Sequence, residues 1–142
     1  MNLPPRETRA HLDTTVARFR RAMQDADFDA LDGLFAEDVR FNSPRAAKPV
    51  QGVRAISMVL WSAMSNFKLL RYVGHVGPSA GGADRRAAET HVLLFDAVGV
   101  RGAKLNGVDI IELDRAGRIC ALTVMLRPLD SIAAVRRLGA GR

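Results

Sequence analysis

The chain has 142 residues, 48% of them apolar and 25% charged, with a net charge of +6 and one cysteine. This length suits a single domain, expected over residues 1–142, which at this size buries roughly 68% of its unfolded surface and needs no staples. The composition excludes disordered, collagen-like and repeat architectures.

Cys120 cannot close an internal disulfide, and His11, His75 and His91 lack metal-site spacing, so neither a metal nor a cofactor is expected. The positive charge is nearly all arginine, spread along the chain without interleaved aromatics, and a nucleic-acid partner is not expected. The N-terminal residues lack the apolar core of a signal peptide, and no apolar run approaches the length of a membrane span. A cytoplasmic location follows as the expectation.

Leu12, Val16, Phe19 and Met23 recur at helical steps and predict an amphipathic helix ending near Asp25. Asp27 is placed to cap a short second helix carrying Phe28, Leu31, Leu34 and Phe35. Val39 to Pro44 reads as a short strand closed by proline. Gly52 opens a third helix with the stripe Ile56, Val59, Leu60 and Met64, stopped at Asn66.

From Lys68 the period becomes strand-like, with strands expected over Leu69–Val76, Arg86–Phe95, Ala103–Leu113 and Arg118–Arg127. Pro78 to Gly82 reads as a loop, and Asp114 to Gly117 as a type I turn with glycine in the left-handed position. A last helix is expected over Ser131–Leu138. Helices first and antiparallel strands last predict an α+β fold, the helices packed on one face of a curved sheet that wraps a cavity.

The third of these strands holds the carboxylate of Asp109 within the apolar stretch Val108 to Ile111. A buried charge costs several kcal/mol unless it is hydrogen-bonded or protonated, so Asp109 is the leading candidate for chemistry. If it points inward, Gly107 and Ile111 point inward with it, and on the preceding strand Glu89, His91, Leu93 and Phe95 form one set. Should that set face the cavity, His91 and Asp109 become a candidate proton-transfer pair. The alternative for the same two residues is a structural hydrogen bond at the cavity floor. Glu89 is expected at the rim, paired with an arginine.

The run Asp27-Phe-Asp-Ala-Leu-Asp-Gly-Leu-Phe-Ala-Glu-Asp-Val-Arg-Phe-Asn-Ser-Pro44, then Pro49-Val-Gln-Gly52 and the hairpin ending Met125-Leu-Arg-Pro128, resembles the SnoaL-like branch of the nuclear transport factor 2-like (NTF2-like) superfamily. That resemblance spans nearly the whole chain and implies the cone-shaped α+β fold shared with ketosteroid isomerases and limonene epoxide hydrolase. It also implies homodimers.

Matched outward from Ala36-Glu-Asp38 and Gly117-Arg-Ile119, Asp109 falls where ketosteroid isomerases carry their protonated oxyanion-hole aspartate. Ser43 falls at the base and Phe19 at the tyrosine. Serine without an activating partner cannot shuttle a proton between carbons, and phenylalanine donates no hydrogen bond, so steroid isomerisation by that mechanism is not expected. For limonene epoxide hydrolase, Asn42 matches an asparagine while Val124 stands where an aspartate is needed. The acid/base aspartate with a nearby histidine of SnoaL-type polyketide cyclases remains available through Asp109 and His91.

Phe19, Met23, Phe41, Ser43, Val59, Leu60, Tyr72, Phe95, Leu122, Val124 and Leu126 are the candidate ligand-binding walls, although a filled core accounts for the apolar ones equally well. One strand register turns Tyr72 inward as a hydroxyl donor, and a slip of one residue turns it outward. The ligand expected is a small apolar molecule bearing a carbonyl, turned over without a cofactor by isomerisation, cyclisation or dehydration. A non-catalytic binding or dimerisation module is the alternative. Trp61 is expected at the rim or a subunit contact, Cys120 as an inert thiol, and Arg127 as a tie to the last helix or a partner chain. Ile119, Ala121, Thr123 and Met125 are expected on the outer sheet face, against a second subunit.

Overall fold

A computed structural model describes the backbone of residues 6–132, with side chains from Thr14 onward. Helix α1 spans Arg6–Asp25 and buries Val16, Phe19, Ala22 and Met23. The buried Thr15 hydroxyl donates to the Gly117 carbonyl at 2.6 Å, tying the helix to a turn more than 100 residues away. Helix α2, Phe28–Asp32, is capped by the Asp27 carboxylate, which accepts from the Ala30 amide at 3.2 Å.

Strand β1 covers Phe35–Asn42, so Phe35 belongs to a strand and not to the helix that its apolar spacing suggested. The turn at Leu34, whose amide bonds the Leu31 carbonyl, ends α2, and Phe35 pairs at once with Ile119. The two-residue strand β2, Val50–Gln51, pairs with β1 and was not expected. Helix α3, Val53–Met64, buries Ile56 and Leu60, while Trp61 on its other side is 61% exposed.

Strand β3 runs over Phe67–Ala80, well past the Val76 end expected. It continues through Pro78 because β3 is an edge strand and its pairing shifts between Val76 and Ser79, so the missing proline N–H breaks no regular ladder. Strand β4, Glu89–Gly99, starts later than expected because residues 84–87 form a turn, with the Ala87 amide on the Asp84 carbonyl at 3.0 Å. Strands β5, Lys104–Leu113, and β6, Ile119–Arg127, follow. Their turn has Gly117 at φ 79° and the Asp114 carboxylate accepting from the Ala116 and Arg118 amides, each at 3.0 Å. Residues 129–132 begin a helical turn, and the rest of the expected last helix lies outside the described residues.

The six strands form one sheet in the order β2-β1-β6-β5-β4-β3, with β1 parallel to β6 and all other pairs antiparallel. This is a mixed α+β architecture whose helices cover one face of a curved sheet, the arrangement that the resemblance implies. The core lies between α1, α3 and that face, built on Phe19, Phe35, Ile56, Leu93, Ile111 and Leu122. Ile119, expected on the outer face, is fully buried in this core. An irregularity in the β5–β6 register between Glu112 and Leu113 leaves Cys120 as an extra residue, and strand alternation changes phase there. Among the described residues no helix is long and apolar enough to cross a membrane.

Candidate acid–base site

Asp109 is 3% exposed in the middle of β5, flanked in register by Val124 of β6 and Leu93 of β4. Residues directly opposite in a ladder share a face, so its carboxyl lies on the helix-covered side with Leu93, which is fully buried. The Tyr72 hydroxyl, from β3, donates to Asp109 Oδ2 at 2.6 Å. Burial drives the Asp109 carboxyl up to about 7, and the hydrogen bond from Tyr72 pulls it part of the way back. Near neutral pH this acid therefore keeps a protonated form that an ordinary aspartate has lost. The Tyr72 phenol is itself raised well above its ordinary value, first by burial and then by the charge of Asp109.

Tyr72 is held from three sides. Its ring meets Phe19 at 6.4 Å and Phe95 edge-on at 6.1 Å, and the Arg20 guanidinium lies 5.9 Å from its centre. Its backbone amide donates to the Gln24 side chain at 3.0 Å. Gly107 leaves room two strands away, on β5: a Cβ there would lie 2.9 Å from the tip of Phe95 and closer still to the Met125 carbonyl. The tyrosine thus comes from a sheet strand, while the first-helix position expected for one is occupied by Phe19, packed against it.

His91 is fully buried on the same face, opposite Ile111, but its hydrogen bonds do not go to Asp109. Its Nδ1 lies 2.9 Å from His75 Nε2, and its Nε2 lies 3.1 Å from Glu89 Oε2, so both ring nitrogens are engaged elsewhere. The structure therefore contains two separate polar groupings, Tyr72–Asp109 and Glu89–His91–His75, where a single His91–Asp109 pair was expected. Glu89 is buried beside His91 and not at an arginine-paired rim.

A bulge in β3 is what brings Tyr72 and His75 to one face. Tyr72 pairs with Phe95, Gly74 with Leu94 and His75 with Leu93, leaving Val73 as the extra residue. Neither Tyr72's partner nor the involvement of His75 follows from alternation alone. The available signal for His75 was its position on the strand joined to that of His91 by one loop.

Of the other expected wall residues, Phe19, Met23, Phe41, Leu60, Phe95 and Leu122 are buried in the core, and Val59, Val124, Leu126 and Ser43 are half-buried. Ser43 Oγ accepts from the Arg45 amide at 3.2 Å, and Asn42 donates to the Thr123 hydroxyl at 2.9 Å. A surface groove of about 400 Å³ between α1 and α2, lined by Arg18, Arg21, Asp25 and Asp27 among others, shares no residue with Asp109 or its partners. Cys120 donates to the Glu112 carbonyl at 3.4 Å, and burial pushes its thiol up to about 12. Among the described residues no cluster of three or more histidine, cysteine or carboxylate side chains is arranged to hold a metal.

No curated protein matches the sequence. Among solved structures, a steroid delta-isomerase from Pseudomonas aeruginosa is 30% identical, with 99% of this chain and 95% of that one covered and a TM-score of 0.78. A bacterial protein with a cystatin-like fold from Silicibacter pomeroyi is 28% identical over 90% of this chain and 84% of its own, also at 0.78. An NTF2-like protein from Mesorhizobium loti, 16% identical over 90% of this chain and 100% of that one, shares the fold at 0.69. The model of the SnoaL-like domain matches residues 16–122, which takes in α1's buried half, Tyr72, Glu89, His91 and Asp109, and the chain belongs to that family.

Proposed function

We propose that this protein binds a small apolar carbonyl compound on the covered face of its sheet and promotes a cofactor-independent isomerisation, cyclisation or dehydration there. The observation that carries this reading is Asp109, a buried carboxyl raised to about 7 with a tyrosine hydroxyl on one of its oxygens. In its neutral form the acid donates its proton's hydrogen bond to a ligand oxygen, while Tyr72 fixes the carboxyl's orientation. As negative charge grows on that oxygen, a donor already in place in a water-poor setting stabilises it without reorganisation. Half-buried Val124 stands opposite Asp109 in the β5–β6 ladder, and half-buried Leu126 stands opposite Gly107. The likeness to a steroid delta-isomerase supports a ligand of this chemical kind.

Calorimetric titration with phenol, a mimic of an enolate, and with 2-cyclohexenone tests the reading. Both should bind, at least tenfold more weakly to Asp109→Ala, and the enone more weakly above pH 7 as the acid loses its proton. No binding of either to the natural chain would overturn it.

A second reading, a binding module without chemistry, is favoured by Ser43 and Phe19, which replace two proton-handling groups. Ketone deuteration in D2O separates the two readings: a bound enone that gains no deuterium points to the module.

The outer sheet face, where Val73, Leu94 and Met125 are 52%, 37% and 54% exposed, supports a homodimer formed sheet to sheet. Sedimentation should then give twice the chain mass, and Met125→Lys should halve it. A cytoplasmic location belongs to the same reading.

A further inference from the structure

Charge is unevenly placed along the chain. Residues 39–83 carry six lysines and arginines and no aspartate or glutamate, and residues 97–108 carry two cations and again no acid, so all 15 acids lie outside these two stretches. The stretches meet in the fold. The Val100 amide donates to the Asn66 carbonyl at 3.0 Å and Phe67 pairs with Gly99, which sets the tip of the β4–β5 hairpin against the end of α3 and the start of β3. Exposed Arg54, Lys68, Arg101 and Lys104 belong to this region. Two acids border it: Asp96 stands opposite Arg71 in the β3–β4 ladder, and Asp32 accepts from the Ser57 hydroxyl on the flank of α3.

Large apolar side chains stand among these cations. On α3, Met58, Trp61 and Ser65 follow Arg54 at steps of four, three and four, so the four share one side of the helix, and all are exposed. The helix turns Ile56 and Leu60 into the core from its other side. At the hairpin tip Val100 is half exposed, next to Arg101. Water is a poor setting for a tryptophan, a methionine and a valine displayed together, and cations around them keep the surface from closing on a second copy of itself.

We propose that this surface, α3 with the β4–β5 hairpin tip, docks on an anionic lipid bilayer. Trp61, Met58 and Val100 enter the headgroup layer, and Arg54, Lys68 and Arg101 meet lipid phosphates. The excess of cations calls for an anionic partner, and the apolar side chains select lipid among the polyanions. A nucleic-acid duplex offers phosphate and sugar to such a surface, whereas the interfacial layer of a bilayer takes apolar side chains below its phosphates. The tryptophan ring, apolar with one N–H donor, suits that depth, and long basic side chains reach back from it to the headgroups. No spanning segment is required: a 12-residue helix is about 18 Å long and lies in the plane of the surface. The proposal is independent of the chemistry at Asp109. It also leaves the outer sheet face untouched, because α3 covers the opposite face.

Trp61 is the single tryptophan of the chain, so tryptophan fluorescence reports this one side chain. With phosphatidylcholine vesicles containing about one-third phosphatidylglycerol, the full chain should float with the vesicles and its emission should move to shorter wavelength, with binding about tenfold or more stronger than to phosphatidylcholine alone. Absence of binding overturns the proposal, and so does binding with unchanged emission. Lys68→Glu combined with Arg101→Glu should weaken binding about tenfold or more, whereas Arg85→Glu combined with Arg115→Glu should leave it within about twofold. The second pair reverses the same amount of charge on exposed residues beside the start of β4 and the end of β5, the far ends of both strands from the hairpin tip. Equal losses in the two variants overturn the placement, since net charge alone would then account for the attraction. A salt-sensitive shift of a duplex oligonucleotide without vesicle binding gives the surface to nucleic acid and overturns the lipid assignment.

Discussion

The Tyr72 hydroxyl reaches Asp109 at 2.6 Å although strand β4 lies between their strands. The contact passes over Phe95 and Leu93, whose register partners are Gly107 and Asp109 themselves. A bond that skips a strand needs a long side chain on the edge, a short one in the middle of the sheet and an absent one beside it. Tyr72, Asp109 and Gly107 meet those three requirements, and each is open to a separate test.

Asp109→Asn should flatten the dependence of stability on pH. The folded state holds the Asp109 proton up to about 7, whereas an unfolded carboxyl releases it near 3.8. Between these values the folded state binds the extra proton, so stability falls as pH rises through that window and is level above it. The group's share of the fall is roughly 4 kcal/mol. Urea denaturation at pH 5 and pH 8 should show the part of this fall that lies above pH 5, about 3 kcal/mol, in the natural chain and much less of it in the variant.

Tyr72→Phe keeps the ring contacts with Phe19 and Phe95 and removes only the donor. Since the hydroxyl is what pulls the Asp109 carboxyl downward, its loss should move that carboxyl further up. A carbon-13 titration of Asp109 should read the upward shift, with a stability loss of about 1–2 kcal/mol beside it. A downward shift would contradict the assignment of the bond.

Gly107→Ala should be among the most damaging single-methyl additions in the sheet. The new Cβ meets the Met125 carbonyl, which is backbone and cannot rotate away, as well as the ring of Phe95. A loss of about 3 kcal/mol or more is expected in denaturant melts, against a few tenths for the same change at the exposed Gly33, where a new Cβ has only the Ala30 carbonyl, at 4.0 Å, within reach.

Arg86 clasps the segment before β4. It pairs with Asp38, donates to Asp84 at 2.9 Å and reaches the Cys120 carbonyl at 2.9 Å. Its hydrogen bond holds the Asp84 carboxyl down at about 2, so this contribution to stability is present above pH 4 and lost as pH falls through 2. Arg86→Met should return the Asp84 titration toward the ordinary aspartate range, and limited proteolysis should cut residues 81–88 faster than in the natural chain.

Iodoacetamide at pH 8 should leave Cys120 unmodified in the native protein and label it fully in 8 M urea. Burial raises the thiol to about 12, and only the thiolate reacts.

Local chemistry was legible in the sequence where a few neighbouring residues fix the backbone. Asp27 capping α2 and the Asp114–Gly117 turn follow from side chains that bond their own surroundings. The placement of Asp109 on a strand and the fold of the whole chain were legible too, from pattern and from the family resemblance. What escaped were changes of phase. The shift near Cys120 sends Ile119 into the core, and the bulge at Val73 decides which β3 residues face inward. Both depend on how two strands slide against each other, and no single strand's alternation records that. For the same reason His91 was matched with Asp109, the carboxylate nearest in pattern, while its bonds run to Glu89 two residues away and to His75 across the hairpin.

The bulge at Val73 also bears on how such a sheet could change its equipment. In a regular strand every second residue is on offer to the interior, so a tyrosine and a histidine three positions apart exclude one another. One additional residue cancels that exclusion, and it costs little at an edge with no further strand to satisfy. Excising Val73 would leave a ladder just as long, yet if Tyr72 stayed inward, His75 would swing to the outer surface. A single codon thus stands between a sheet holding two polar groupings on its covered face and one holding only the tyrosine and its acid.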